Sequence, residues 1–183
     1  MKRPPLKHVP VLLGIEGGGT RTTVKMVDGG GETLADFQTG PAVLSLMTDR
    51  ELQWHLRDIA DRLPQSPDAL GIGLAGARSA ADQERLRRVV SRVWSGIPSV
   101  TTNDLETALA AAPTLVKPMP RVLVLSGTGS CCFGRAPNGR MAKVGGRGHL
   151  IGDRASACDI GLRALRLVMA DFDHHGRLGP LGG

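Results

Sequence analysis

Aromatic residues are scarce in this chain. Only 3% of its 183 residues are aromatic, and tyrosine is absent. Proteins that bind single-stranded nucleic acid usually stack the bases on aromatic side chains, so a stacking surface of that kind is not expected. Cysteine is also rare, with three residues of which two are adjacent. Three cysteines do not provide a disulfide framework.

The chain also lacks a long apolar segment. No uninterrupted apolar run approaches the roughly 20 residues that a membrane-spanning helix needs. At the N-terminus, Pro4, Pro5 and Pro10 stand where a secretory signal would have its apolar stretch. We therefore expect a cytoplasmic protein that has no membrane partner.

Acidic residues are fewer than basic residues in this chain. Lys and Arg number 23 against 17 Asp and Glu, which gives a net charge of +6. Part of the positive charge lies in residues 1–8, and another part alternates with Leu86, Val89, Val90 and Val93. This second pattern is typical of an amphipathic helix with a solvated basic face. We therefore expect no nucleic-acid partner.

Apolar periodicity and turn residues predict an α/β protein. Prolines 113, 118 and 120 indicate a hinge at 113–120 between a first domain, 9–112, and a second, 121–172, followed by a frayed tail at 173–183. The predicted strands are 9–15, 23–28, 33–37, 69–74, 99–102, 122–125, 131–135 and 141–144. The predicted helices are 49–63, 79–94, 105–112 and one that follows Asp153 and ends near Phe172.

An internal similarity links the two domains. The order strand, Gly/Thr-rich turn, strand, glycine turn, strand occurs at 9–37 and again at 121–144. The repetition suggests a duplicated fold whose halves face each other across the hinge.

The Gly/Thr-rich turns are candidate phosphate-binding loops. The first consists of Gly17, Gly18, Gly19 and Thr20, and the second of Gly127, Thr128, Gly129 and Ser130. Each lies between two strands, which excludes a Walker A loop and a Rossmann loop because both lead into a helix. Successive glycines can turn backbone N–H groups toward an anion. Simple hairpin turns remain the alternative.

Three acidic residues have both a functional and a structural interpretation. Glu16 precedes the first loop and is able to orient Mg²⁺ through water, or it is a solvated turn residue. The pair Asn103-Asp104 opens a helix, so it is either a helix cap or the site of a general base. Asp153 ends a glycine-rich loop that begins near Gly146. It either accepts two sugar hydroxyls or caps the following helix.

Four ordered motifs together resemble a known family. They are residues 14–22, Thr102-Asn103-Asp104, residues 125–130 and residues 145–153. Over about residues 11–170 the sequence resembles the amino-sugar kinases of the BadF/BadG/BcrA/BcrD ATPase family, within the actin-like superfamily of sugar kinases. The segment 126–134 is similar to kinase domains fused to N-acetylmuramic acid 6-phosphate etherases.

The resemblance implies a fold, a reaction and a set of roles. The fold would be ribonuclease H-like (actin-like ATPase), a mixed sheet with flanking helices, with ATP phosphates and Mg²⁺ in the cleft between two domains. Asp104 would be the catalytic base that takes the proton from a hydroxyl of N-acetylglucosamine or a related amino sugar. The implied phosphate-binding residues are Gly17, Gly18, Gly19, Thr20, Gly127, Thr128 and Gly129. The implied sugar-binding residues are Asn103, Ser130, Gly146, Gly148 and Asp153.

The sequence also departs from the family pattern. Val43 stands where the family has a sugar-contacting Asn, and Ala155 replaces a glycine. The chain is also shorter than family members, so we expect an incomplete second domain. The possibilities of a missing C-terminal half, a fused etherase domain or a homodimer remain open. Two alternatives to kinase activity also remain: an inactive sugar- or nucleotide-binding remnant, and a BadF-type ATPase activator.

Overall fold

A computed structural model describes residues 8–111 and 119–182 of the chain. The chain divides into two compact units, Met1–Ala112 and Pro113–Gly183, and each unit has its own sheet. Most of the predicted hinge, residues 113–118, lies outside the described residues, as do residues 1–7 of the basic N-terminal segment.

The first unit contains a five-stranded mixed sheet. Its strands are β1 (Val11–Gly17), β2 (Thr22–Asp28), β3 (Thr33–Thr39), β4 (Ala69–Leu74) and β5 (Ser99–Thr102). They are arranged in the order β3-β2-β1-β4-β5. Strands β1, β2 and β3 form an antiparallel meander, whereas β1, β4 and β5 are parallel. Parallel neighbours need a crossover connection, and helices make those connections here.

Three helices of the first unit begin at side-chain caps. They are α1 (Asp49–Asp61), α2 (Ala80–Val93) and α3 (Asp104–Ala110). Thr48 and Ser79 form capping boxes with Glu51 and Asp82, so the N-termini of α1 and α2 follow directly from the sequence. Asn103 caps α3 by accepting the backbone N–H of Glu106.

One face of this sheet forms the core. Along β1 the odd-numbered residues are buried and the even-numbered residues are exposed. Leu13 lies opposite Met26 on β2 and Leu70 on β4, so their side chains share a face. Apolar residues of α1 and α2 complete the same cluster, which includes Leu56 and Val89. The opposite face holds Glu16, and α3 packs against Gly73 of β4 on that face.

The second unit contains a three-stranded antiparallel sheet and one helix. The strands are β6 (Arg121–Ser126), β7 (Ser130–Arg135) and β8 (Met141–Gly145), in that order across the sheet. Helix α4 spans Ala157–His175 and ends at Gly176, which adopts the left-handed conformation. Helix α4 therefore ends three residues beyond the predicted helix end near Phe172.

Candidate functional site

The first predicted phosphate loop begins at a glycine that has a packing role. Gly17 is the last residue of β1 and is buried. A Cβ atom at this position would lie 3.0 Å from the backbone oxygen of Ala42 and would overlap the side chain of Leu74. The close approach of these neighbours requires a residue without a side chain.

The rest of the loop presents fewer backbone donors than a nest of four residues would. The Gly18 N–H donates to the Arg21 carbonyl at 2.9 Å, which closes the turn. The Gly18 carbonyl accepts the N–H of Ala42 at 3.1 Å. Gly19 and Thr20 are exposed at the tip. An anion at this loop would therefore meet Gly19 and Thr20.

A glycine on β4 allows α3 to approach the sheet. In the register of the sheet, Gly73 lies between Glu16 on β1 and Thr102 on β5. A Cβ atom on Gly73 would lie 2.7 Å from the Asn103 carbonyl and 3.0 Å from the Thr107 Cβ. This contact was not predicted from the sequence, although two glycines in one short strand often mark a close backbone approach.

Both polar atoms of the Asn103 side chain are used to fix the start of α3. Its Oδ1 accepts the Glu106 N–H at 2.9 Å, and its Nδ2 donates to Glu106 Oε1 at 2.9 Å. The Thr107 hydroxyl donates to the Asn103 carbonyl at 2.7 Å. The cap interpretation is confirmed for Asn103, and Asp104 occupies the first position of the helix.

The structure brings Glu16 and Asp104 to the same end of the sheet. Partial loss of hydration raises the pKa of the Glu16 carboxyl, and the negative charge of Asp104 raises it further. The guanidinium of Arg21 acts in the opposite direction and lowers the pKa. Two carboxylates at the same end of a sheet, each close enough for its charge to affect the other, form an acidic site that favours a bound cation or proton.

A further polar atom lies on the same edge. Within residues 8–111 and 119–182, Thr102 Oγ1 is a buried side-chain atom with no hydrogen-bond partner. Thr102 immediately precedes Asn103 and Asp104. Its hydroxyl adds an unused donor to the edge that carries the two carboxylates.

The second predicted phosphate loop connects β6 to β7. The Gly127 N–H donates to the Gly129 carbonyl at 2.9 Å, so the loop closes on itself and leaves Thr128 exposed at its tip. The Gly127 carbonyl accepts the Ala157 N–H at 2.9 Å. The start of α4 is therefore attached to the loop.

The glycine-rich segment after β8 returns to the same loop. Gly146 donates its N–H to the Ser130 carbonyl at 2.9 Å, and Gly148 donates to Asp153 Oδ1 at 3.3 Å. A Cβ atom on Gly129 would lie 2.8 Å from Asp153 Oδ2. The structure thus brings together the sugar-binding and phosphate-binding residues predicted for the second unit.

One structural alternative for this segment is wrong. The cap of α4 is Ser156, whose side chain accepts the Asp159 N–H, and not Asp153. Asp153 has a φ of +46° and Ala155 a φ of +60°. The left-handed conformation of these two residues turns the chain before the helix begins.

A surface hollow of about 610 Å³ lies along α1, and none of its lining residues is a predicted site residue. Its lining residues are Met47, Arg50, Glu51, Trp54, His55 and Asp58. Among the described residues, no cluster of three or more His, Cys, Asp or Glu side chains is arranged to hold a metal ion. No helix in this part of the chain is long and apolar enough to cross a membrane.

Comparison with known sequences identifies the family. A sequence profile of the BadF/BadG/BcrA/BcrD ATPase family matches residues 13–180. The chain belongs to this family. It is 32% identical over 179 residues to the N-acetylmuramic acid/N-acetylglucosamine kinase of Clostridium acetobutylicum. The matched region covers 94% of this chain and 58% of that protein. The chain spans between 55% and 58% of the length of the curated relatives that it matches.

Solved structures confirm the fold. A Chromobacterium violaceum protein that is provisionally described as an N-acetylglucosamine kinase has a TM-score of 0.71 at 24% identity and covers 95% of this chain and 62% of its own. MreB5 of Spiroplasma citri has a TM-score of 0.54 at 10% identity, with 95% of this chain and 60% of its own covered. The expected actin-like α/β fold, with a mixed sheet and flanking helices, is confirmed.

Proposed function

We propose that this chain acts in the ATP-dependent phosphorylation of a hydroxyl group on N-acetylglucosamine or a related cell-wall amino sugar. The observation that carries the proposal is the pairing of Glu16 and Asp104 at the strand ends of the first unit. A member of this family with such a carboxylate pair has the groups needed to handle a proton and a divalent cation. The similarity to the Clostridium kinase supports the choice of substrate class.

Asp104 is the proposed catalytic base. In phosphoryl transfer a carboxylate orients the attacking hydroxyl and accepts its proton as the bond to phosphorus forms. The cap made by Asn103 and the contact between Gly73 and α3 fix the backbone of Asp104. A base held in this way loses little freedom when the sugar binds.

The acidic pair also fits Mg²⁺. Mg²⁺ prefers carboxylate oxygens and water, and it usually takes only one or two protein carboxylates. Glu16 would hold it through water, with Asp104 adding negative charge nearby. When bound, the ion neutralises charge on the phosphate oxygens. Burial raises the pKa of Glu16 most, and a divalent cation would relieve the repulsion from Asp104 that raises it further.

The remaining assignments are parts of the same proposal. The two glycine loops would bind phosphate oxygens through their backbone and threonine donors, chiefly at Gly19, Thr20, Thr128 and Gly129. Asp153 would bind the sugar by accepting hydrogen bonds from its hydroxyl groups, and Gly146 and Gly148 would form the neighbouring backbone of the sugar site. Asn103 is proposed to act through the helix start, because both of its polar side-chain atoms already have partners.

One observation favours a second candidate, binding of sugar and nucleotide without turnover. Val122, Val124 and Val144 lie on one face of the second sheet and are 70%, 71% and 73% exposed. Phosphoryl transfer depends on groups held in fixed positions. A small sheet whose apolar face is open to water holds its loops less firmly than a sheet that is packed on both sides.

The test measures turnover and binding in the same protein. The purified chain is mixed with Mg-ATP and, separately, N-acetylglucosamine, N-acetylmuramic acid or glucosamine, and ADP formation is followed. Calorimetry measures sugar binding. We expect sugar-dependent ADP formation that Asp104→Asn abolishes with sugar binding preserved. Asp36→Asn, which changes an exposed carboxylate on β3, is the control and leaves turnover intact.

Each result has a distinct meaning. ADP formation that persists in Asp104→Asn would remove Asp104 from the role of base. Sugar binding without ADP formation in the unmodified chain would support the second candidate. If the chain bound none of the three sugars, the proposal would be wrong.

A further inference from the structure

Two serines flank the second glycine loop. Ser126 ends β6 and Ser130 begins β7, and they lie directly opposite each other in the antiparallel register. Residues paired in this way project their side chains from the same face of a hairpin. Both hydroxyl groups therefore leave the loop in the same direction.

Both hydroxyls bind to consecutive carbonyl groups of one segment. Ser126 Oγ donates to the Ala155 carbonyl at 2.8 Å, and Ser130 Oγ donates to the Arg154 carbonyl at 2.6 Å. A third bond runs from the Ala157 N–H to the Gly127 carbonyl at 2.9 Å. The loop and the segment before α4 are thus joined at both ends of the loop.

The segment that accepts these bonds has an unfavourable backbone conformation. Asp153 and Ala155 both have positive φ angles, which is unusual for residues that carry a Cβ atom. Such a conformation persists only where neighbouring contacts hold it. The two serine hydroxyls supply contacts that hold it here.

Asp153 lies at the junction of the two predicted binding regions. Its carboxylate accepts the Gly148 N–H and lies against Gly129, where a Cβ atom would come within 2.8 Å of it. A ligand that orders Asp153 therefore also restricts the loop that contains Gly129. The converse holds for a ligand that orders the loop.

We propose that Ser126 and Ser130 form a bracket that couples sugar binding at Asp153 to nucleotide binding at the Gly127–Gly129 loop. Because a binding linkage is reciprocal, each ligand strengthens the other by the same factor. Ser126 is a positioning residue that acts through Ala155. This proposal rests on the proposed sugar and nucleotide sites.

The test measures the coupling factor by calorimetry. The affinity for N-acetylglucosamine is measured with and without saturating Mg-ADP. We expect Mg-ADP to strengthen sugar binding by about 5-fold or more in the unmodified chain, the lower end of typical coupling. Ser126→Ala should reduce the factor to less than about 2-fold, within the range where coupling is small.

Ser91→Ala is the matched control. Ser91 Oγ also donates to a backbone carbonyl, that of Arg88, at 2.9 Å on α2. Its removal deletes the same kind of bond from the other unit, so the coupling factor should remain unchanged. A wild-type coupling factor in Ser126→Ala would overturn the bracket, as would independent binding of both ligands to the unmodified chain. The proposed function would survive both results.

Amide hydrogen exchange tests the bracket without any ligand. In Ser126→Ala we expect faster exchange at Gly127, whose N–H donates to Gly129 within the loop. We also expect faster exchange at Ala157, whose N–H donates to the Gly127 carbonyl. Ser91→Ala should leave these amides unchanged. Unchanged exchange in Ser126→Ala would overturn the bracket even if the chain binds neither sugar nor nucleotide.

Discussion

Burial raises the pKa of the Glu16 carboxyl and Asp104 raises it further, although four strands and two α-helices separate the two residues in the sequence. The parallel alignment of β1, β4 and β5 places Glu16 level with Gly73 and Thr102. Asp104 follows two residues after Thr102. The electrostatic effect of Asp104 on Glu16 therefore follows from the sheet register.

Neutralising Asp104 should lower the pKa of Glu16. In Asp104→Asn the repulsion is lost, so the pKa of Glu16 moves down toward the ordinary 4.5 of a glutamate. It stays above 4.5 because partial burial is the largest cause of the shift. Carboxyl carbon NMR across a pH titration measures the change. Asp36→Asn serves as the control, since it removes a carboxylate elsewhere on the sheet. An unmoved Glu16 titration in Asp104→Asn would show that the two groups do not interact.

The same shift predicts a pH dependence of stability. Because the pKa of Glu16 is higher in the folded than in the unfolded chain, folding takes up protons between those values. The contribution of Glu16 to stability is fully present below pH 4.5 and is lost as the pH rises through the folded value. We expect Glu16→Gln to remove this loss. Urea unfolding across the pH range measures it, and equal pH profiles for Glu16→Gln and the unmodified chain would contradict the assignment.

Substitution of Gly73 should displace α3. The added methyl group of Gly73→Ala overlaps Thr107 and the Asn103 carbonyl, and overpacking of this kind costs about 1–3 kcal/mol. Gly71→Ala is the matched control, because it lies two residues earlier on the same face of β4 and its Cβ would have no atom within 4 Å. Urea unfolding should separate the two variants. Similar unfolding midpoints would show that α3 does not press on Gly73.

His55 should make the first unit sensitive to mild acid. The Thr22 hydroxyl donates its single proton to the Gly40 carbonyl at 2.8 Å. The same hydroxyl lies 3.3 Å from His55 Nε2. Because Thr22 has no second proton, the N–H of the imidazole is the donor in that contact. Burial lowers the pKa of His55 below 6.5. The unfolded chain therefore binds a proton first as the pH falls, and stability decreases below pH 6.5 until the folded value is reached.

Replacement of His55 provides the check. His55→Gln removes the titrating group, so the free energy of unfolding should fall less between about pH 7 and pH 5 than in the unmodified chain. Urea unfolding at both pH values measures the difference. A steeper loss of stability in His55→Gln would contradict the assignment.

Ala155→Gly should stabilise the second unit. A residue with a Cβ atom in the left-handed conformation costs roughly 1–2 kcal/mol, and the greater freedom of glycine in the unfolded chain offsets part of the gain. We expect a net gain of about 0.5–1 kcal/mol. Hydrogen exchange of the β6–β7 amides measures it. Ala157→Gly lies in the first turn of α4 and should have the opposite sign, so a loss of stability in both variants would contradict the argument.

Much of the fold could be predicted from local patterns. The apolar run at 9–15 and the apolar periodicities of 49–63 and 79–94 depend on neighbours a few residues away, and the structure confirms the strand and the two helices that they predict. The start of α4 does not follow from local pattern. Asp153 has a side chain of the capping type, but it accepts the Gly148 N–H, and Ser156 caps the helix by accepting the Asp159 N–H.

By itself the sequence determined the family, the order of the strands and helices along the chain, and the residue types at the candidate site. The tertiary structure decided which of those residues meet. Sheet register placed Glu16 and Asp104 at the same end of the sheet and placed Gly73 against α3. The left-handed turn at Asp153 and Ala155 brought the carbonyls of Arg154 and Ala155 to Ser130 and Ser126. These relationships join residues that are distant in the chain, and distances of that kind are fixed by packing rather than by local pattern.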